Sequence, residues 1–424
     1  MTIQRRLATV AVGALFASAG ASALASGFQI QEQGASGLGV AYSGQAAAVH
    51  DASTVFWNPA GMSLLPGKQG VAALHYIIPD TKFNDSGSLL TPFGFGNGGN
   101  GGESALVPAL YGTWMINPQW SVGLAVNAPF GLATEWDQPW VGHLHAIRSE
   151  IKTLNINPTV SFKVNNMLSL GAGLSYQRLE AELTNAVNAA GTNIGKVDGD
   201  DWAWGWNIGA LITVTPATRI GLTYRSSIKY TVEGDLTFNN PALAALQSSV
   251  ESDVKLPQVF GISVSHQFTP QTRVLADWTW TGWDSIQSLD IRRTSGPLAG
   301  QLAAQTSLNF DNSWRAGVGV EHQLNQPWLL RAGVAYDTTP VQDAFRTPRL
   351  PDESRWWLSV GARYMPTPTS NWWLDFGYTH IFVRDASSNL PPPGAPATEV
   401  ARGALRGTYE ASVDILAAQV GFRF

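Results

Sequence analysis

The chain of 424 residues contains no cysteine. This absence excludes disulfide bonds, thiolate nucleophiles and cysteine-ligated metal sites. Charged residues are also scarce, at 13% of the chain, and its 26 basic and 31 acidic residues include no basic run that would favour nucleic acid as a partner. Beyond the N-terminal region, no stretch has the length of consecutive apolar residues that a transmembrane helix requires.

The N-terminus carries the pattern of a secretory signal peptide. Arg5 and Arg6 precede a short apolar core, and the Ala-Leu-Ala triplet that ends at Ala25 fits the small-residue cleavage rule. We expect residues 1–25 to be removed and the mature chain to begin at Ser26. The alternative is a retained membrane anchor, but the apolar run reaches a spanning length only if its glycines and serines are counted. The pattern predicts an exported protein.

The residues that are abundant indicate one membrane class. The chain has 17 tryptophans and 43 glycines. An exported chain that is rich in aromatic residues, poor in charge and without apolar helices is typical of a closed transmembrane β-barrel, whose outer face carries a lipid-facing band and aromatic girdles.

Alternation of apolar with small or polar residues supports this interpretation. The stretch "LSLGAGLSY" places Leu168, Leu170 and Leu174 on one face and serines and glycines on the other. In "WRAGVGV" and "LRAGVAYD" the non-apolar face carries Arg315 and Arg331. A soluble β-sandwich would bury the apolar face and expose the charged one. A barrel in lipid does the reverse, because its exterior is apolar and its lumen is polar.

Such segments predict about fourteen antiparallel strands, and their connections alternate between short turns and long loops, as in outer-membrane barrels. The strands are expected near 69–79, 105–117, 120–128, 149–164, 168–183, 202–215, 219–233, 256–268, 272–289, 313–324, 328–339, 354–365, 371–384 and 409–424. The fold class is therefore predicted as all-β, with a barrel over residues 69–424.

Residues 26–68, called the hatch below, do not alternate. They read as short helical turns punctuated by glycine, with Asn58 as an N-cap, Pro59 at the first helical position and Gly67 as a stop. The segment is too small for a core of its own. A barrel of about fourteen strands has a lumen that its own side chains cannot fill. We therefore expect the hatch to plug the barrel.

These residues resemble a known family. The stretches "SGFQIQEQGASGLGVAYSGQAAAVHDASTVFWNPAG", "NAPFGLATEW", "TGWDSI" and "FRTPRLPD" are similar to the FadL family of outer-membrane transporters of long-chain fatty acids and related hydrophobic compounds. The resemblance runs from Ser26 to Phe424. It implies a hatch-plugged barrel of fourteen strands that captures its substrate in an outer groove, passes it to a barrel site and releases it sideways through the wall, without an energy source.

The resemblance implies roles for individual residues. Asn58 and Pro59 belong to a hatch triplet, completed by Ala60, that is expected to meet the wall near the third strand. Phe28 matches an aromatic residue that reaches the binding site, although plain packing of the hatch explains it equally well. Pro129, Phe130 and Gly131 fall at a kink of the third strand.

Pro129 itself admits two interpretations. A proline cannot donate to a sheet ladder. It interrupts the pairing of the third strand and bends it towards Asn58, leaving a lateral opening, or it merely begins an external loop. The resemblance favours the lateral opening.

The loop that follows is apolar. Its residues form either an exposed capture groove or part of an aromatic girdle. They are Leu132, Trp136, Trp140, Val141, Leu144 and Ile147.

A site for a carboxylate is less clearly marked. The stretches that correspond to the family's basic positions carry Asn185 and Asp311. By strand parity, Arg225 and Lys229 face the lumen, together with Arg315, Arg331 and Arg363. We expect Arg225 and Lys229 to bind an anion if one is bound. The alternative is a network of ion pairs in the lumen with Glu321, Asp337 and Asp375.

No other chemistry is indicated. His143 and His145 lack a third ligand for a metal, and no nucleotide loop or nucleophile elbow is present. We predict no cofactor, no metal and no catalysis, and a monomer in contact with outer-membrane lipid and lipopolysaccharide. The predicted function is passive uptake of long-chain fatty acids. Uncharged aromatic hydrocarbons are the alternative substrate, and a lipid hydrolase or a receptor is a more distant one.

Overall fold

The protein forms a closed antiparallel β-barrel of fourteen wall strands, as predicted. The computed structural model describes residues 26–89 and 95–424, so the predicted signal peptide lies outside the described residues. None of the helices in these two ranges has the length and apolar character needed to cross a membrane.

In the described part of the chain, six of the fourteen wall strands are interrupted, so the barrel wall consists of twenty strand segments. The segments of the first half are β1 (Lys68–Asp85), β2 (Ala105–Met115), β3 (Trp120–Asn127), β4 (Gly131–Glu135), β5 (Arg148–Lys163), β6 (Leu168–Ala186), β7 (Ile194–Thr215), β8 (Thr218–Arg225) and β9 (Ile228–Phe238). Those of the second half are β10 (Ser248–Leu256), β11 (Val259–Gln267), β12 (Thr272–Thr281), β13 (Ser288–Arg293), β14 (Leu302–Ser307), β15 (Ser313–Asn325), β16 (Trp328–Asp337), β17 (Arg355–Tyr364), β18 (Trp372–Val383), β19 (Ala386–Leu390) and β20 (Leu405–Arg423).

The interrupted wall strands are the third (β3 and β4), the seventh (β8 and β9), the eighth (β10 and β11), the ninth (β12 and β13), the tenth (β14 and β15) and the thirteenth (β18 and β19). The barrel closes between its first and last strands, since β1 pairs with β2 on one side and with β20 on the other. The ends meet at the short-turn end of the barrel, where the Phe424 amide donates to the Lys68 carbonyl at 2.9 Å.

Alternation determines which face of each strand points outward. Along β1, buried and exposed residues alternate almost without exception. Large apolar residues such as Trp314, Trp356 and Leu416 are 41–54% exposed on the outside, whereas the charged Arg315 and Asp375 are buried inside. This inversion relative to a soluble protein is what a lipid-facing exterior and a polar lumen require.

Several strands extend further towards the long loops than the sequence predicts. The segments 184–201 and 234–255, predicted as loops, contain the last residues of β6, the first of β7, the end of β9 and most of β10. Outward positions there carry charge instead of apolar residues, for example Lys196, Asp198 and Asp200. The apolar signal therefore disappears before the ladder ends.

The hatch packs inside the barrel as short turns. Its helices are α1 (Ala35–Leu38), α2 (Gln45–Ala48) and α3 (Thr54–Trp57), followed by a 3₁₀-helix at Pro59–Leu64. A fourth short helix, α4 (Ala397–Val400), lies in the last long loop. The predicted N-cap is present, since the Asn58 side chain accepts a hydrogen bond from the Ala60 amide at 3.1 Å. Most hatch residues are fully buried.

Inward-facing glycines allow the close approach of the hatch to the wall. A Cβ at Gly221 of β8 would collide with the Ala46 carbonyl of α2, and a Cβ at Gly333 of β16 would collide with the backbone of Val40. Main-chain atoms cannot move aside as a flexible side chain can. The small residues that alternate along the strands are therefore part of the hatch contact.

Buried polar contacts and ion pairs also hold the hatch against the wall. His50 lies 2.9 Å from Glu321, which also pairs with Arg331 at 2.7 Å. Arg363 joins Asp51 of the hatch at 3.0 Å to Asp375 of the wall at 2.8 Å.

These contacts confirm the lumen network for Arg331 and Arg363, and Arg315 pairs with Asp277 at 3.2 Å. Asp337 accepts a hydrogen bond from the Ser26 amide at 3.3 Å.

The glycine contact gives a testable expectation. Gly221→Ala should destabilise the folded barrel by about 1–3 kcal/mol, because the added methyl group overpacks the interface with α2. Gly112→Ala is the matched control, since a Cβ at Gly112 has no heavy atom within 4 Å. The measurement is the thermal unfolding midpoint of each variant in detergent. Equal midpoints for the two variants would show that the hatch does not need the glycine.

Candidate functional site

The third wall strand is interrupted where the sequence places Pro129. β3 ends at Asn127 and β4 begins at Gly131. The ladder with β2 ends at the pair Leu110–Val126. β4 pairs with β5 from Gly131 opposite Lys152, and on its other side it has only an isolated bridge from Thr134 to Gly102. The expectation that pairing stops at Pro129 is therefore met on the β2 side.

The N-terminal end of the hatch occupies the interruption. The Ile30 amide donates to the Pro129 carbonyl at 2.8 Å, and the Gly131 amide donates to the Phe28 carbonyl at 2.9 Å. Gln29 and Phe130 form an isolated antiparallel bridge between these two bonds. Proline brings no N–H of its own that would need a partner here. Residues 127–134 are all buried, so the interruption is covered by the hatch.

The prediction that the third strand bends at Pro129 towards Asn58 is wrong. Asn58 lies under other strands: its side-chain amide donates to the Ala210 carbonyl of β7 at 3.0 Å and to the Ala46 carbonyl at 2.8 Å. Pro59 and the backbone of Ala60 pack over Gly171 of β6. The triplet closes a turn of the hatch, and the preceding segment from Phe28 to Ile30 reaches the third strand instead.

An apolar cavity lies on the long-loop side of this contact. Its volume is about 140 Å³, and it lies between β5, β6, β7, β9, β10 and β13. Phe28 forms one end of it, with its ring 4.8 Å from Trp283 and 6.0 Å from Phe130. The other lining side chains are mainly aliphatic, among them Ile151, Leu179, Leu183, Val197, Val232, Val250, Ile286 and Ile291.

A half-buried arginine, Arg349, lies beyond the loop end of the apolar cavity. Arg349 donates to the Ser149 hydroxyl at 2.9 Å and to the Asn185 side-chain oxygen at 3.2 Å. Ser149 and Asn185 stand two residues beyond Ile151 and Leu183 on the same inward faces. Within residues 26–89 and 95–424, no carboxylate pairs with Arg349.

Burial and the nearby cation Arg402 lower the pKa of Arg349 to about 9. Arg349 therefore still carries its charge at neutral pH. The same two causes, burial first, lower the pKa of His145 to about 3, so this neighbouring imidazole is neutral. Two arginines, Arg349 and Arg402, therefore lie near each other beyond the loop end of the cavity, and Glu399 acts on Arg402.

A second cavity lies on the other side of Phe28 and Phe130, and polar groups form a larger share of its lining than in the apolar cavity. Its volume is about 70 Å³, and its polar side chains include Gln31, Gln45, Asn207, Arg225 and Asp277.

Arg225 faces the lumen, as predicted. Its guanidinium donates to the Phe56 carbonyl of the hatch at 3.1 Å and stacks 4.4 Å from the Phe56 ring. This arginine therefore joins the wall to the hatch.

Lys229 does not face the lumen, so that prediction is wrong. Its side chain is 66% exposed on the outside and pairs with Asp253 at 3.2 Å. The reason is the break between β8 and β9 at residues 226–227, which reverses the parity of the strand. Arg225 before the break and Ile228 and Tyr230 after it point inward.

The predicted capture groove is not an exposed surface. Trp136 and Trp140 are 1% and 0% exposed and stack on each other at 4.6 Å inside a loop cluster with Phe83 and Tyr409. They belong to neither a groove nor a girdle. Leu132 packs with Phe28 and Phe130, while Val141 and Leu144 are half-buried in the loop.

The sequence missed most of the apolar cavity and Arg349. The cavity residues come from six strands, and each follows the ordinary inward alternation, so no local pattern distinguishes them. Arg349 lies in the stretch "FRTPRLPD", which carries part of the family resemblance. Asn185 lies in one of the stretches that correspond to the family's basic positions. Through its contact with Asn185, Arg349 brings a cation to this neutral residue.

The described geometry agrees with known proteins. A family described as outer membrane protein transport protein (OMPP1/FadL/TodX) matches residues 16–424. A long-chain fatty acid transport protein of Escherichia coli O6:H1 is 29% identical over 81% of this chain and 84% of its own length. A 47 kDa outer membrane protein of Pasteurella multocida is 30% identical over 94% of this chain and 96% of its own length.

Solved structures share the fold. A FadL homologue of Pseudomonas aeruginosa superposes with a TM-score of 0.85 at 24% identity, over 94% of this chain and all of that one. The toluene transporter TodX of Pseudomonas putida gives 0.69 at 15% identity, over 93% and 99% of the two chains. The chain therefore belongs to the outer membrane protein transport protein family (OMPP1/FadL/TodX), and it is an outer-membrane transporter of hydrophobic compounds, not an enzyme.

Proposed function

We propose that this transporter takes up long-chain fatty acids passively. The observation that carries the proposal is an apolar cavity with Arg349 beyond its loop end, a half-buried arginine with no carboxylate partner among the described residues. The relatives named as long-chain fatty acid transport proteins support the same substrate class. Uncharged aromatic hydrocarbons are the alternative, for which the cation would have no role.

The two parts of the site match the two parts of a fatty acid. Each CH₂ group moved from water to an apolar site contributes about 0.8 kcal/mol, so a chain of about sixteen carbons has a large gross gain. The carboxylate would receive charge-assisted hydrogen bonds from Arg349. The acyl chain would extend from there towards Phe28.

The proposed route has three stages. Substrate is captured among the long loops, where Val141 and Leu144 are half-buried apolar contacts. It then enters the apolar cavity. Release is sideways at Pro129, once the segment from Phe28 to Ile30 leaves the unpaired edge of the third strand. The hydrogen bonds of this segment to Pro129 and Gly131 hold the exit closed.

The cavity is tested by placing a polar group in it. Val250 is 4% exposed and lines the cavity. Val250→Asn should weaken oleate binding about 5- to 100-fold, since an unpaired amide in an apolar site costs about 1–3 kcal/mol. The measurement is binding to the purified protein and oleate uptake by a deletion strain carrying the variant. Val400→Asn is the control, because Val400 is 53% exposed on a loop. Unchanged binding in Val250→Asn would place the substrate elsewhere.

Arg349 separates the two substrate classes. Arg349→Gln should lower oleate affinity about 10-fold or more, since hydrogen bonds to charged groups contribute about 1.5–3 kcal/mol, and should leave toluene uptake unchanged. Arg225→Gln is the matched comparison and should not discriminate between the two compounds. An equal loss for oleate and toluene in Arg349→Gln would refute the carboxylate assignment and favour the aromatic alternative.

The pH dependence is a second readout of the same contact. Arg349 is charged below its pKa of about 9, and a carboxyl group is ionised above about 4.5. Oleate affinity should therefore be highest between these values, fall above about pH 9 in the native protein and lose this alkaline fall in Arg349→Gln.

The exit is tested by locking the hatch over the kink. Gln29 and Phe130 face each other in an antiparallel bridge, so Gln29→Cys/Phe130→Cys should form a disulfide in a chain that has no other cysteine. Oxidation should reduce oleate uptake several-fold, and a reductant should restore it. Each single variant controls for loss of the original side chain. Full uptake by the oxidised protein would exclude release at this strand.

A further inference from the structure

Backbone pairing between neighbouring wall strands is also interrupted between β7 and β9, a boundary called the β7–β9 seam below. The register between β7 and β9 ends at Asp200–Glu233, and the register between β7 and β8 begins only at Asn207–Arg225. Residues 201–205 of β7 therefore pair on the β6 side alone. An unpaired backbone in a membrane wall is costly, so other contacts have to cover the interruption.

Side chains take the place of backbone bonds across this seam. The Asp201 carboxylate accepts from the Thr231 amide, and the Ser226 hydroxyl oxygen accepts from the Trp206 amide, both at 2.9 Å. One backbone bond, from the Ser226 amide to the Trp206 carbonyl at 2.9 Å, marks its lower end. These bonds lie at the two ends of the gap, and side chains pack against each other between them.

The inner side of the seam is the floor of the apolar cavity. Ala203, Ile228 and Tyr230 are at most 8% exposed and belong to the same apolar cluster as Phe28. Gly199 and Val232, on opposite sides of the seam, line the cavity directly. The cavity therefore borders the upper end of the seam, where the pair Gly199–Gly234 closes the ladder, and Ala203, Ile228 and Tyr230 fill the unpaired part below it.

The outer side carries an aromatic patch, formed by Tyr176, Trp202, Trp204, Trp206 and Tyr224. The rings of Trp202 and Trp204 each lie 4.5 Å from that of Tyr176, and Trp204 is 66% exposed. Charged residues such as Arg178 and Asp200, paired at 2.9 Å, follow immediately towards the loops. Aromatic residues at the boundary between an apolar and a charged zone mark the membrane interface.

We propose that the β7–β9 seam is a second lateral portal, through which acyl chains exchange between the outer leaflet and the apolar cavity. It is separate from the third strand and rests on the proposed function of the cavity. Ile228 closes it in the described conformation, since a Cβ at Gly205 would lie 2.7 Å from Ile228 Cγ1. The break at residues 226–227 lets β9 move without disturbing β8.

A reversible crosslink tests the portal in the full-length protein. Gly205→Cys/Ile228→Cys places two sulfur atoms across the gap at a separation that suits a disulfide. Oxidation should slow the uptake of radiolabelled oleate at least twofold relative to the same variant after reduction. The control is Val318→Cys/Val334→Cys, which bridges the fully paired β15–β16 seam at opposed, exposed positions, and its oxidation should change nothing.

A second variant fills the gap without a crosslink. Gly205→Leu should slow oleate uptake in the same direction, with folding checked by heat-modifiable mobility on gels. Uptake at the native rate in both the oxidised double variant and Gly205→Leu would overturn the portal and leave the cavity and the third-strand exit standing. If the native protein takes up no oleate, the proposed function fails and the portal fails with it.

Discussion

The closed backbone ladder is the constraint on which the rest of this structure depends. In hydrocarbon, an N–H or C=O group without a protein partner is costly, so the wall must pair from β1 around to β20. That closure produces a lumen too wide for wall side chains to fill, which in turn requires the hatch. It also requires that other parts of the protein cover each interruption of the ladder.

The hatch satisfies this requirement in two chemical ways. In the first, wall glycines bring main chain against main chain, as at Gly221 and Ala46. In the second, buried carboxylates and arginines connect His50 and Asp51 to the wall. Breaking such a buried pair leaves an uncompensated charge, whereas the contact at the third strand consists of only a few backbone bonds. The hatch is therefore held firmly at its centre and lightly at its N-terminal end, where release is proposed.

The cavity combines an apolar length with one charged end. Aliphatic side chains from six strands and Phe28 exclude water from its middle, and Arg349 supplies a cation at the loop end. Desolvation makes an unpaired guanidinium in this position a strong partner for an anion. The polar cavity below differs, because Arg225 there is engaged by the hatch. The barrier between the two cavities is the contact of Phe28 with Phe130 and Trp283.

The sequence by itself determined the barrel, the number of its wall strands, the hatch and the interruption at Pro129, because alternation, turn residues and a missing N–H are local properties of the chain. Strand parity placed Arg225 inside for the same reason, whereas the role of Phe28 came from the family resemblance. The sequence misplaced Lys229 because parity holds only along an unbroken strand, and the break at residues 226–227 has no clear local signature. It took Trp136 and Trp140 for surface residues because burial by distant loops is not visible in their neighbours. The apolar cavity, the position of Arg349 beside Asn185 and the unpaired β7–β9 seam were decided only by the tertiary structure, since each joins strands or loops that are far apart in the chain.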